Sequence, residues 1–261
     1  MPAMYLAHSF QHELEKRFVV IQWDRRGAGK SYREDVSDTL NTEQLLSDTF
    51  ELTNMLRARF RQDKIFLVGH SWGSHLGMLA IARHPELYWA YVGIGQLARV
   101  SLIPQIQDEF IRNSAIRIGD EESIQELSDR GVAVREKLLF KFGGEIHRAR
   151  SFAPLLLAGF MAPEYSLRDA RNVPKGVSLY SQHFVENSIS GDLMDAVTEV
   201  SVPVYFFTGR FDYCDPFTLT EQYFHKIKAP EKRLIWFENS AHFPFYEEPL
   251  VFANEMGNVV K

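Results

Sequence analysis

The feature that most restricts the fold of this chain is a strand, a sharp turn and a helix written without a gap between residues 65 and 83. Ile65 to Val68 is a short apolar run of the kind a buried strand uses. Gly69-His70-Ser71-Trp72-Gly73 follows it at once, and Leu76 to Arg83 continues with a helical pattern. The five residues match G-x-S-x-G, in which a strained turn lifts a serine hydroxyl clear of the sheet and small neighbours avoid backbone clashes. The bare pattern is weak evidence. The strand before it and the helix after it make Ser71 a candidate nucleophile rather than an idle serine in a tight turn.

The rest of the chain reads as the surroundings such a turn needs. Phe18 to Trp23 is β-rich and nearly all apolar, the signature of a strand covered on both faces, and the loop Asp24 to Ser31 ends it. Thr42 to Phe60 places Leu45, Leu46, Phe50, Leu52, Leu56 and Phe60 mostly three or four residues apart, an amphipathic helix with Asn41 or Thr42 as its N-cap. Tyr91 to Ile94, Val204 to Phe207 and Leu234 to Phe237 supply further strands, with helical patterns between several of them. That alternation predicts an α/β fold built on a mostly parallel sheet. The stretch 98–200 breaks the alternation, being charged, helix-prone and without a convincing buried strand. The expected organisation is therefore a core made of 1–97 and 201–261 and a helical cap inserted at 98–200. At 261 residues and 45% hydrophobic content the chain is long enough for one such core with an insertion.

A serine hydroxyl is a poor nucleophile at neutral pH, so a base must take its proton and an acid must hold that base in one tautomer. Two later segments offer candidates. Val204 to Phe207 leads into Thr208-Gly209-Arg210-Phe211-Asp212, and Leu234 to Phe237 leads into Glu238-Asn239-Ser240-Ala241-His242, each ending a strand with a titratable side chain in the loop beyond it. Asp212 is the candidate acid, although a turn former or helix cap near Pro216 would read the same way, and Asp215 stands close enough to compete. His242 is one of nine histidines, set apart by its place after the last strand. His70 leaves the turn in another direction and reads as a packing or hydrogen-bonding residue, and His84 before Pro85 as a helix terminus. An oxyanion formed on the attacked carbonyl needs a donor already in place, and the backbone N–H of Trp72 is one.

Composition removes several other classes. A formal charge of -5 spread over both signs lacks the basic stripe of a nucleic-acid binder, so the expected partner is a small-molecule or short-peptide substrate. Cys214 is the single cysteine, which excludes an internal disulfide and a cysteine-cluster zinc site and fits a reducing cytoplasm. No histidine pair at helical spacing with a nearby glutamate suggests a metal enzyme, and no cofactor is expected. Gly27-Ala28-Gly29-Lys30-Ser31 faintly suggests a phosphate loop, but Asp24 stands where that motif needs glycine. The start of the chain does not read as a secretory signal, and no window approaches the ~18 apolar residues of a membrane span, so neither secretion nor membrane insertion is expected.

On these residues the chain resembles the proline iminopeptidase branch of the α/β-hydrolase superfamily. The resemblance is carried by the turn with its following Trp72-Gly73-Ser74, by Trp23-Asp24-Arg25-Arg26-Gly27-Ala28-Gly29-Lys30-Ser31, by Tyr91-Val92-Gly93-Ile94-Gly95-Gln96 and by Gly209-Arg210-Phe211-Asp212. It implies the α/β-hydrolase fold, in which serine, acid and histidine occur in this chain order, and hydrolysis through an acyl-enzyme on Ser71. An aminopeptidase is slightly favoured over a carboxylesterase on the resemblance alone. Epoxide hydrolases and haloalkane dehalogenases of the same fold carry aspartate where Ser71 stands. A binding or scaffold protein that kept the core and lost activity is the rival of a different class.

Two departures from that family stand out. The strands and the His-Gly-Gly-Pro segment that complete the oxyanion hole have no counterpart beyond Pro2-Ala3, and the expectation is a chain that starts inside that segment. Loss of one oxyanion donor costs roughly 10²–10³ in turnover, and the missing strands would expose a sheet edge that invites a homodimer. The second departure is the insertion, where the resemblance implies acidic groups that hold a substrate's free ammonium. Glu145, Glu164 and Glu186 are the candidates, each equally readable as a solvated helix face.

Overall fold

The computed structural model describes residues 12–149, 164–183 and 192–259. Along the chain its main elements are α1 (Thr42–Phe60), β1 (Ile65–His70), α2 (Trp72–Arg83), β2 (Tyr88–Ile94), α3 (Ile103–Ile118), α4 (Glu121–Arg130), α5 (Val132–Lys141), α6 (Leu167–His183), β3 (Val204–Gly209), α7 (Phe217–Lys226), β4 (Lys232–Phe237) and α8 (Pro249–Val259). They fall into two compact units, one made of Lys64–Ser151 and Asp192–Val251, the other of Met1–Asp63, Phe152–Gly191 and Phe252–Lys261.

The unit that contains Ser71 is built on a four-stranded sheet in the order β1-β2-β3-β4, with every neighbouring pair parallel. Parallel strands put all their carboxyl ends on one edge, and the register sets Gly69 beside Gly93 and Gly209 beside Phe237. The loops that carry Ser71, Asp212 and His242 thus leave the same edge of one sheet, the usual place for a site in an open α/β sheet. β3 is central, and all six of its residues are buried. Phe206 on it packs on Tyr223 of α7, with ring centroids 5.7 Å apart. Beyond β2, α3, α4 and α5 close a second apolar cluster of Ile111, Leu127, Val134, Leu138 and Leu139. Gly119 in the left-handed conformation ends α3, and the Asp120 side chain caps α4 by accepting from Ser123 N–H.

β1 differs from its reading as a buried strand. It is an edge strand among the described residues, and Val68 is 43% exposed. An apolar run reports what a strand would bury on both faces, not whether a neighbour covers it.

In the other unit, α1 begins where the periodicity predicts, with the Asn41 side chain accepting from Gln44 N–H. Arg26 grips Asp48 of α1 through two bonds of 2.8 and 2.7 Å. The loop after Trp23 is pinned by Asp24, whose Oδ2 accepts from Lys30 N–H at 2.9 Å and from the Tyr165 hydroxyl. Gly176 of α6 lies so close that a Cβ there would meet Gly27 O at 2.8 Å.

The expected strand Phe18 to Trp23 is not formed. Those residues lie outside any strand, and Val19 is 69% exposed. The described residues of that unit contain no strand to which it could hydrogen-bond. β-propensity reflects how a side chain fits a pleated sheet, and without a partner ladder the run stays irregular. Among the described residues, no helix is long and apolar enough to cross a membrane.

Candidate active site

Ser71 sits between β1 and α2 with φ 54° and ψ −126°, one of two non-glycine residues with positive φ among those described. For a residue with a Cβ this is strained backbone, kept only where the surroundings over-determine it. They do so here. Ser71 N–H donates to Ile94 O on β2 at 2.9 Å, and Ser71 O accepts from both Ser74 N–H (2.7 Å) and the Ser74 hydroxyl (2.6 Å). Gly69 allows the turn to close, because a Cβ there would lie 2.4 Å from Gly73 O. Gly73 has no such constraint, with nothing within 4 Å of where its Cβ would stand. Only one of the two flanking glycines is therefore sterically required. Trp72 is the first residue of α2, which places its N–H in the first turn of that helix.

Asp212 and His242 come from the loops after β3 and β4. The loops touch: a Cβ on Gly209 would lie 2.0 Å from Ala241 O, and Phe211 N–H donates to Ser240 O at 3.0 Å. Ala241 N–H donates to the Glu247 carboxylate at 2.7 Å, and His242 N–H donates to Glu145 O at 3.0 Å, so the backbone leading into the histidine is anchored at two successive residues. The His242 ring is buried and its Nδ1–H donates to Asp212 Oδ2 at 3.0 Å. Gly95, at the end of β2 with φ +52°, lets the pair approach, since a Cβ there would stand 2.9 Å from His242 Nδ1. The His70 ring lies 4.5 Å from the His242 ring, and its Nε2–H donates to His242 O at 2.8 Å. Burial, reinforced by the charge of His242, holds the His70 pKa well below its ordinary value.

Asp215, the rival for the acid's role, takes a different place. Its Oδ2 is 3.9 Å from His242 Nε2, the nitrogen that Asp212 does not contact, and the Ser71 hydroxyl lies within bonding reach of its carboxyl group. Burial raises the Asp215 pKa to about 7, with Asp212 adding to the rise and His242 and Ser71 opposing it. For His242, burial works against the imidazolium but Cys214, Asp212 and Asp215 outweigh it, and its pKa lies well above the ordinary value. Cys214 contributes no charge near neutrality, because burial pushes its thiol up to about 12.

Of the three glutamates expected as amine anchors, only Glu145 belongs to this unit. It is 6% exposed, and burial lifts its carboxyl pKa to about 7 against the pull of His242. Glu164 belongs to the other unit, where its main-chain oxygen accepts from Lys30 Nζ at 2.5 Å. Glu186 lies outside the described residues. Gly95 and the part played by Asp215 were not singled out from the sequence. The glycine sat inside a recognised motif and the aspartate three residues after the acid, but what each touches depends on loops brought together from three strands.

Residues 2–255 match the sequence profile of the Alpha/beta hydrolase family. The chain belongs to that family. This α/β-hydrolase is 31% identical over 267 residues to the probable aminopeptidase YbaC of Bacillus subtilis (strain 168), an alignment covering 97% of this chain and 82% of the relative. It is 25% identical over 250 residues to the proline iminopeptidase of Heyndrickxia coagulans, covering 94% of this chain and 82% of that one. Among solved structures, VinJ matches with a TM-score of 0.70 at 19% identity over 97% of this chain and 84% of its own. The Mycobacterium smegmatis proline iminopeptidase matches with a TM-score of 0.64 at 15% identity, over 97% of this chain and 84% of that one. The protein is a hydrolase by family, with the fold the sequence predicts.

Proposed function

We propose that this hydrolase cleaves an amide bond next to a free N-terminus, as an aminopeptidase of the proline iminopeptidase type, through an acyl-enzyme on Ser71. The observation that carries the reading is the buried His242 bonded through Nδ1 to Asp212, on the same sheet edge as a serine held at positive φ. In this mechanism the Ser71 hydroxyl attacks the scissile carbonyl and its proton passes to His242 Nε2, while Asp212 keeps Nδ1–H in place and stabilises the imidazolium. The N–H of Trp72 donates to the oxyanion. Nε2 then returns the proton to the leaving amine, and a water activated by the same nitrogen hydrolyses the acyl-enzyme.

The choice of an amine-bearing substrate over a simple ester rests on the relatives named as aminopeptidases. Glu145 supports it as a buried carboxyl group close enough to the histidine to feel its charge. A fluorophosphonate probe is expected to label Ser71 in the folded protein, with labelling lost in Ser71→Ala, as read by peptide mass spectrometry. Arylamides of unblocked proline or alanine are expected to be cleaved faster than nitrophenyl esters of short acids. The reverse order would make the enzyme a carboxylesterase, and an unlabelled Ser71 would remove the acyl-enzyme mechanism.

A further inference from the structure

The proposed reaction uses one carboxylate on His242, and the structure supplies two. Taking Ser71 and His242 as nucleophile and base, as above, we infer that Asp215 is a second and opposing partner of His242, whose carboxylate competes with Ser71 for Nε2 and so delays the histidine's readiness as a base to higher pH.

The geometry is that of one ring bracketed at both nitrogens. Asp212 meets Nδ1 at 3.0 Å, and Asp215 Oδ2 faces Nε2 at 3.9 Å. Both come from a single turn. Asp215 N–H donates to Asp212 Oδ1 at 2.9 Å, so its main chain steadies the acid while its side chain reaches the opposite end of the imidazole. Asp215 is 6% exposed, and its Oδ2 has no hydrogen-bond partner. A buried carboxylate oxygen without a donor is costly; the donors near it are the Ser71 hydroxyl and a proton on Nε2, the latter 3.9 Å away and the only one that brings a charge.

The groups around it set how readily it ionises. Asp212 disfavours the Asp215 carboxylate, His242 and the Ser71 hydroxyl favour it, the Cys214 thiol and Glu145 share its field, and Glu136 acts in turn on Glu145. The cationic group acting on Asp215 is His242 itself. An opposite charge at this distance favours the imidazolium, so an ionised Asp215 keeps Nε2 protonated where a lone Asp212 would have let it go. Asp215 acts through the histidine rather than on the substrate.

The test is the rate of fluorophosphonate labelling at Ser71 as a function of pH, which needs no knowledge of the natural substrate. In the wild type the rate rises with pH as His242 becomes a base. Asp215→Asn keeps the backbone N–H and the shape of the side chain, and is expected to move that rise to lower pH by about one unit. Asp215→Glu restores a carboxylate and is expected to move it back. A rise at the wild-type pH in Asp215→Asn, whatever the plateau rate, overturns the inference and leaves Asp215 a structural residue. Should Asp215→Asn fail to fold, the neutral Asp215→Thr is judged by the same criterion. Folded wild type that never labels at Ser71 overturns the reading of the site itself, a result distinct from labelling whose pH dependence ignores Asp215.

Discussion

Gly95 shows how much of the site hangs on one missing methyl group. Its φ of +52° is a conformation that residues with a Cβ adopt reluctantly, and the position a Cβ would take is 2.9 Å from two atoms of the His242 ring and 3.1 Å from Asp212 Oδ2. Gly95 N–H donates to Phe207 O at 3.0 Å, so the backbone cannot easily retreat. Gly95→Ala is therefore expected to displace the imidazole from Asp212 and to lower the Ser71 labelling rate by on the order of 10²-fold, as small misplacements of catalytic groups do. Labelling kinetics on folded protein check this, and a variant that labels at the wild-type rate would show that the ring has room to move. The candidate nucleophile and base could be read from the sequence, because Ser71 and His242 each follow an apolar run. Asp212 could be read as the candidate acid, but with Asp215 as its competitor. Asp212 and Asp215 lie three residues apart after the same strand, and only the fold sends one to Nδ1 and the other to Nε2.

At the scale of elements, the strand-turn-helix around Ser71 makes its two glycines unequal. Gly69→Ala would drive a Cβ to 2.4 Å from Gly73 O, a backbone atom that cannot rotate away, and is expected to lower the melting temperature markedly. Gly73→Ala, in the first turn of α2 with open space around it, is expected to be neutral or stabilising by about 0.5–1 kcal/mol through its gain in helix propensity. Thermal unfolding of the two variants side by side checks the pair, and equal losses would mean that the G-x-S-x-G turn tolerates neither. Four of the five expected strands are present, each longer than its apolar kernel because the ladder continues through flanking residues such as Gly69-His70 or Lys232-Arg233, whose backbones pair whatever their side chains. Phe18 to Trp23 fails because pairing is a property of two strands, and an apolar run describes one.

For the whole molecule, the buried acids make stability depend on pH. Glu145, whose ordinary carboxyl value is 4.5, is raised to about 7 by burial, so the folded protein holds its proton more tightly than the unfolded chain. Such a group contributes stability that is fully present below the unfolded value and lost as pH rises through the folded one, and Asp215, also near 7, works in the same direction. His70 and His75, held low by burial, oppose this trend but cancel between a variant and its wild type. Glu145→Gln is accordingly expected to melt with the wild type at pH 4 and above it at pH 8, by on the order of 1–3 kcal/mol. A gap that does not grow through neutrality would mean that the carboxyl group is solvated in the folded state. The formal charge of -5 gave no hint of this, since net charge counts groups without regard to burial. Periodicity and contiguous residues were enough for the fold class and for the helix Thr42–Phe60 with its cap, and they made Ser71 the candidate nucleophile. Which nitrogen of the histidine each aspartate faces, which strand lies at the edge of the described sheet, that the run at Phe18 forms no strand and that Glu145 lies near the histidine all depend on how distant segments pack. Those are contacts between residues far apart in the chain, and no local pattern records them.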